Sequence, residues 1–232
     1  MHSTQHWGKR GGENDLTMPR RTLIEDRPWL LASLTASIAF YFLPEPWIGS
    51  VYAMVLKGLS VGFLVPYALV RHHSLDARLL AIIMAFGAAG DVGMELNTIV
   101  GGAIFFIGHL IAIGLYWRNR RTNVTGAQRA AALTMLVMVP IISWLLSGDA
   151  GVGIYAIGLG AMAASAWLSR FGRYHVGAGA ILFIVSDWLI FVRMGGALPA
   201  SVTSWLIWPL YYAGQFMICT GIIQGLRRDH RA

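Results

Sequence analysis

The sequence predicts an all-α, polytopic transmembrane helical bundle of eight spans with both termini in the cytoplasm. Three observations carry this reading. Apolar residues make up 56% of the 232-residue chain and charged residues only 12%, about half the roughly 25% usual in a soluble domain. The apolar residues are gathered into eight runs, near 28–43, 47–70, 78–97, 98–117, 127–147, 150–168, 176–193 and 203–225. All but two of the 18 lysines and arginines fall on one side of the alternating topology that these runs imply.

Residues 1–27 are polar and mixed in charge and read as a cytoplasmic tail. Residues 28–226 form one transmembrane domain, and 227–232 a short basic cytoplasmic tail. The first apolar run begins late, lacks a small-x-small cleavage site and stops at Pro44-Glu45-Pro46. It therefore reads as a retained helix rather than a cleaved signal. Its length gives about 24 Å of helix, short of a ~30 Å hydrocarbon core. The remaining runs are helices because a backbone in lipid must satisfy its own hydrogen bonds. The turns at 44–46, 97–98 and 148–149 are short enough to make helices 1/2, 3/4 and 5/6 antiparallel hairpins. Pro66, Pro140 and Pro209 fall inside spans and predict kinks.

The basic residues sort by connection. Lys9, Arg10, Arg20, Arg21 and Arg27 precede helix 1, Arg71 and Arg78 follow helix 2, and Arg118, Arg120, Arg121 and Arg129 follow helix 4. Arg170 and Arg173 follow helix 6, and Arg227, Arg228 and Arg231 end the chain, leaving only Lys57 and Arg193. The positive-inside rule then puts both ends in the cytoplasm, which requires an even number of spans. Trp47, Trp144 and Trp205 fall at the opposite interface, as an aromatic belt would. Ala156, Gly160 and Ala164 form a small-xxx-small ridge suited to close helix packing. Helices 3 and 7 each place a small residue before an aspartate (GAAGDVGMEL, LFIVSDWLIF), the pattern of a parallel four-plus-four duplication.

Several functions are excluded at this level. The formal charge of +7 is spread over span ends and is not a nucleic-acid footprint. Cys219 is the only cysteine, so neither an intrachain disulfide nor a multi-thiolate zinc site is possible. No cofactor and no metal is expected: His109 has no second ligand on its own helix in zincin-like spacing. Gly58-Leu59-Ser60-Val61-Gly62 matches the G-x-S-x-G pattern, but a nucleophile elbow needs a strand, a tight turn and a helix. Here the match lies inside an apolar helix and reads as coincidence.

What remains is a set of ionisable residues inside spans: Lys57, Asp91, Glu95, His109 and Asp187. A charge at the bilayer centre costs about 2.5–3.5 kcal/mol on insertion scales, so such groups face a protein interior or a watery cavity. Lys57, Asp91, His109, Asp187 and Gln215 read as one layer near the midplane. Glu95 and Tyr211 lie one turn nearer the outer side, with Asp91 and Glu95 on one helix face at i, i+4. Lys57 has a structural reading as counter-ion of Asp91 or Asp187, because a buried charge needs a partner. Tyr211, Tyr212 and Gln215 read either as helix glue or as site residues. The carboxylates outnumber the one certain cation, and a carboxylic acid kept neutral in such a place can donate a proton. The pattern suits acid catalysis or proton-coupled transport.

At these residues the chain resembles the YhhN family of lysoplasmalogenase-like membrane proteins. The resemblance rests on Lys57 in helix 2, Gly90-Asp91 in helix 3 and Phe106–His109 (FIGH) in helix 4. It continues with Tyr155 and Met162 in helix 6, Ser186-Asp187 (LFIVSD) in helix 7, and Tyr212 with Gln215 (YYAGQ) in helix 8. These occur in family order over about residues 50–225. The chain departs from the pattern in Gly93-Met94-Glu95 after Val92 and in Gly58 after Lys57. The resemblance implies hydrolysis of the vinyl ether bond of a lysoplasmalogen to a fatty aldehyde and glycerophosphoethanolamine or glycerophosphocholine. Asp91 and Asp187 would be the catalytic carboxylates, with Lys57, Glu95, His109, Tyr155, Tyr211, Tyr212 and Gln215 binding substrate or supporting them. The implied partners are a lysophospholipid and the surrounding lipids of a bacterial inner membrane. A proton-coupled transporter or lipid flippase using the same buried charges is the alternative, and a scaffold whose polar residues only hold helices together is a third.

Overall fold

The computed structural model describes residues 27–43 and 45–229. Most of the predicted N-terminal tail, residues 230–232 and Pro44 lie outside the described residues. Helix α1 spans Pro28–Phe42 and is followed by a single turn at Glu45–Ile48. Then come α2 (Ser50–Arg71), α3 (Leu75–Leu96), α4 (Thr98–Arg118), α5 (Gly126–Ser147), α6 (Ala150–Leu168), α7 (Arg173–Met194) and α8 (Ala200–Asp229). The last seven are long and apolar enough to cross a membrane, whereas α1 has only 15 residues. The chain is thus a polytopic helical bundle, as the apolar runs predicted.

Local chemistry ends each helix where the sequence changes. Asn97 alone separates α3 from α4. Its backbone N–H donates to the Gly93 carbonyl, closing α3, while its side chain accepts from the Ile99 and Val100 N–H groups that open α4. Gly148 takes a left-handed conformation (φ 68°) to end α5, and Asp149 then caps α6 through the Gly151 and Val152 N–H groups. Thr125 and Gln128 form a reciprocal capping box at the start of α5. The first turn of α7, Arg173–Gly177, is π-helical, so this helix starts three residues before the predicted apolar run.

The prolines act differently from one another. Pro66 cannot donate to the carbonyl one turn back, and α2 is interrupted at Phe63. Pro140 and Pro209 lie within continuous helices. At Pro209 the acceptor left without its usual donor is the Trp205 carbonyl, and the Tyr41 hydroxyl donates to it at 3.2 Å. This bond is one of those that dock α1 on α8. Ser33 bonds Tyr212 at 2.8 Å, Trp208 Nε1 donates to Ser37 Oγ at 3.1 Å, and Tyr41 meets Trp205. The partners descend in number along α8 as α1 ascends, so the two helices are antiparallel. The start of α1 and the end of α8 therefore lie at the same end of the bundle.

That end carries the arginines. Arg118 at the end of α4 pairs with Asp76 at the start of α3 at 3.0 Å. Arg121 Nε and Nη2 donate to the Ser169 and Phe171 carbonyls beyond α6, while Arg170 donates to Asn119 and pairs with Asp229 of α8. Lys57 and Arg193 are toward the other end, called the far end below.

Glycine lets the hairpins close. A Cβ at Gly214 would stand 2.7 Å from the Gly179 carbonyl oxygen, and one at Gly179 would stand 2.8 Å from the Gly214 carbonyl oxygen. The backbones of α7 and α8 cross at these two residues. The predicted ridge also packs: Ala156, Gly160 and Ala164 are buried, and Gly160 lies against the Met135 carbonyl of α5.

Two outcomes follow. Replacing Gly214 by valine should cost about 1–3 kcal/mol through overpacking, read as a lower unfolding temperature in detergent; an unchanged temperature contradicts the crossing. Reporters fused after Asp229 and within the 195–199 connection should signal from opposite sides of the membrane, with the C-terminal one cytoplasmic.

Candidate active site

A cavity of about 590 Å³ lies among α3, α4, α6, α7 and α8, with Lys57 reaching it from α2. Asp91, Asp187, Tyr155 and Tyr211 line its wall, and most of the remaining lining is apolar. It reaches the far end of the bundle at Thr98, Asp149 and Met194. The ring of Phe183 lies 5.2 Å from those of both Tyr211 and His109, and that of Phe105 lies 5.8 Å from Tyr211. These rings bridge α4 to α7 and α8 on the arginine side of the cavity. Gly90, just before Asp91, makes room for Phe105: a Cβ there would come within 2.8 Å of the ring.

Both aspartates are buried, with 3% and 6% of their surface exposed, and each accepts a tyrosine hydroxyl. The Tyr211 hydroxyl donates to Asp91 Oδ2 at 2.8 Å, and the Tyr155 hydroxyl donates to Asp187 Oδ2 at 2.9 Å. Behind each tyrosine stands one more polar group. Gln215 Nε2 donates to the Tyr211 oxygen at 3.3 Å, one helical turn away on α8. His109 Nε2 lies 3.1 Å from the Tyr155 oxygen. The two arms are Gln215–Tyr211–Asp91 and His109–Tyr155–Asp187. His109 and Gln215 both border a small void of about 20 Å³ behind the cavity.

The polar layer sits nearer the far end than a midplane reading places it. Asp91 is five residues before Leu96, the last residue of α3. His109 and Gln215 lie near the middle of their helices and stand behind the site rather than in its wall.

The expected pairing of Lys57 with an aspartate is corrected. Lys57 Nζ forms its ion pair with Glu95 Oε1 at 2.7 Å, while its chain lines the cavity beside Asp91. The physical reason is position. Glu95, one turn beyond Asp91, is nearly half exposed, so an ion pair there costs less desolvation than one at either buried aspartate. Tyr212 also differs from Tyr211: it bonds Ser33 and lies 6.1 Å from the Trp208 ring, tying α1 to α8 rather than facing the cavity. Ser60 is fully buried within α2, and its hydroxyl donates to the Leu56 carbonyl one turn back. Among the described residues no three His, Cys, Asp or Glu side chains gather as a metal site.

Sequence reasoning did not identify Asp149 as a cavity residue. In the sequence it is only part of the short turn at 148–149, which says nothing about the cavity beside it. Phe105, Phe183 and Trp208 were read only as apolar span residues.

A model of the YhhN family matches residues 52–222. No curated protein and no solved structure matches the chain.

Because Glu95 is half exposed, Lys57→Met should lower the unfolding temperature only slightly, at a cost below about 1 kcal/mol. A loss of folded protein would mean that Lys57 also neutralises a buried aspartate. Ser60→Ala should keep activity within about three-fold of wild type, since nothing at that position activates a nucleophile; fluorophosphonate labelling at Ser60 would reverse that reading.

Proposed function

The chain belongs to the YhhN family, and from that premise we propose that it is a membrane-embedded hydrolase of the vinyl ether bond in a lysoplasmalogen-type lipid. The products are a fatty aldehyde and a glycerophospho-headgroup alcohol. One observation carries the reading: two buried carboxylates, each held by a tyrosine hydroxyl, face one apolar cavity that reaches the far end of the bundle. The cavity volume lies in the range of small-molecule sites, and its apolar wall suits a single alkyl chain.

Vinyl ether cleavage needs a proton on the β-carbon, a negative charge beside the resulting oxocarbenium ion, and water. It needs neither a nucleophilic side chain nor a metal. In the proposed sequence one aspartic acid gives its proton to the β-carbon, and the C=C π pair forms the new C–H bond. Water then adds to the oxocarbenium carbon, and the second carboxylate takes the released proton. That proton next goes to the glycerol oxygen as its bond to the hemiacetal carbon breaks. The hemiacetal O–H proton returns to the first carboxylate as the aldehyde forms.

The groups behind the tyrosines support an assignment of the two roles. Gln215 Nε2 donates to the Tyr211 oxygen and the Tyr211 hydroxyl donates to Asp91, an arrangement that suits an ionised Asp91 as acceptor. An imidazole can donate or accept, so Tyr155 can direct its proton to Asp187 or to His109. Asp187 can thus lose and regain a proton without leaving its partner unsatisfied. Asp187 is the proposed acid, and Asp91 the anion that stabilises the cation and activates water.

Purified protein in detergent should release aldehyde from a lysoplasmalogen without a membrane gradient; intact lipid would point to transport instead. Asp91→Asn and Asp187→Asn should each lower kcat by about 10²-fold or more. The double variant should be little worse than either, because groups acting as a unit are not additive. A single-chain lipid with an ammonium in place of the oxocarbenium carbon separates the roles. It should bind Asp187→Asn about as well as wild type and Asp91→Asn at least about ten-fold more weakly. The opposite order would exchange the two assignments, and folded single variants at near wild-type rate would remove both residues from the chemistry.

A further inference from the structure

Lys57 has no part in the proposed chemistry, yet it brings a nitrogen nucleophile to the cavity wall beside Asp91. No other lysine lies among the described residues. Its Nζ is 2.7 Å from Glu95 Oε1. Close packing of α2 on α3 sets up this meeting: a Cβ at Gly58 would stand 2.8 Å from the Val92 side chain. The amine therefore has, within hydrogen-bond reach, a carboxylate that can take a proton and give it back. The cavity that Lys57 lines is mostly apolar and about 590 Å³ in volume, which suits an alkyl chain. A primary amine with a proton carrier beside it forms Schiff bases with carbonyl compounds. In an alkyl-chain cavity the matching carbonyl compound is a fatty aldehyde.

We propose that Lys57 captures a long-chain aliphatic aldehyde as a Schiff base in this cavity, with Glu95 carrying the protons. The proposal rests on the cavity holding an alkyl chain, as argued above, and an aldehyde is what the proposed hydrolysis would leave there. The Glu95 carboxylate first takes one proton from the Lys57 ammonium. The freed nitrogen pair forms the C–N bond as the carbonyl π pair moves to oxygen, and a second nitrogen proton passes to that oxygen. Glu95 then returns its proton to the carbinolamine hydroxyl. The C–O bond breaks, water leaves, and the nitrogen pair closes the C=N bond of an iminium ion. The iminium keeps the single positive charge of the ammonium, so the Glu95 carboxylate still has its counter-ion. Water is the only leaving group, and an apolar lining that excludes water favours its loss. Burial of each methylene favours a long chain over a short one. The captured aldehyde fills the cavity and so acts as a brake on the entry of the next ligand.

Reductive trapping tests this without relying on turnover. The purified full-length protein in maltoside would be incubated with hexadecanal and cyanoborohydride, which reduces an iminium to a stable secondary amine, and its peptides weighed. Lys9, the other lysine of the chain, is the internal reference. Hexadecanal should label Lys57 at least about ten-fold faster than Lys9, and propanal should show a preference below about three-fold. Equal labelling of the two lysines by hexadecanal, or a preference as large with propanal, overturns the proposal. Glu95 is nearly half exposed, so Glu95→Gln should fold normally. It should label at Lys57 at least about ten-fold more slowly than wild type; unchanged or faster labelling overturns the proton-carrying role. Labelling of Lys57 with no aldehyde ever released from a vinyl ether would support capture and defeat only the hydrolase reading. Aldehyde release with no label on Lys57 would do the reverse.

Discussion

Two tyrosine-to-aspartate hydrogen bonds make the rest of this site possible. A carboxyl group inside an apolar bundle must find its hydrogen-bonding partners within the protein, because an unpaired one costs several kcal/mol. Tyr211 supplies the partner for Asp91 and Tyr155 the partner for Asp187. Each bond also joins two helices: α3 to α8, far apart along the chain, and α6 to its successor α7. The same contacts that satisfy the carboxyls thus hold open the space between them, with the rings of Phe105, Phe183 and Tyr211 closing one side.

The two arms are alike in plan and unlike in chemistry. Phe105-Phe106-Ile107-Gly108-His109 on α4 and Tyr211-Tyr212-Ala213-Gly214-Gln215 on α8 share a spacing of aromatic pair, glycine and polar residue. They lie against each other, the Phe105 and Tyr211 rings 5.8 Å apart. With the aspartates of α3 and α7 this is the pattern a parallel four-plus-four arrangement would produce. The symmetry fails where it matters for chemistry. Phe105 has no hydroxyl to give a carboxyl, so Asp187 takes its partner from α6, and His109 reaches it only through Tyr155. One arm ends in the Gln215 amide, the other in the His109 imidazole.

The bundle around the site uses ordinary devices to place these groups. One-residue and two-residue turns at Asn97 and Gly148-Asp149 leave little freedom in how neighbouring helices are paired. Close approach at Gly179 and Gly214 fixes how α8 lies on α7, and with it the direction in which Tyr211 faces. At the opposite end, arginines bonded to loop carbonyls tie the ends of α4, α6 and α8 together. The site is therefore tied together beneath its base and reaches the far end of the bundle.

What the sequence determined by itself was the membrane class, the eight apolar helices, most of their bounds and the sharing of one end by nearly all the basic residues that the structure describes. These depend on local hydropathy, caps and charge, quantities written along the chain. It also marked Asp91 and Asp187, because an ionisable group in a long apolar run is anomalous wherever it points. The tertiary structure alone decided which groups meet. Tyr211 and Tyr212 are neighbours in sequence but about 100° apart around a helix, so one faces the cavity and the other faces α1. Lys57 read as the counter-ion of Asp91 or Asp187, and helix crossing gave it to Glu95 instead. Asp149 read only as part of a short turn until α6 was set beside α4 and α7. Such outcomes depend on helix rotation and crossing, which arise from contacts between residues far apart in the chain and leave no periodic trace within any one segment.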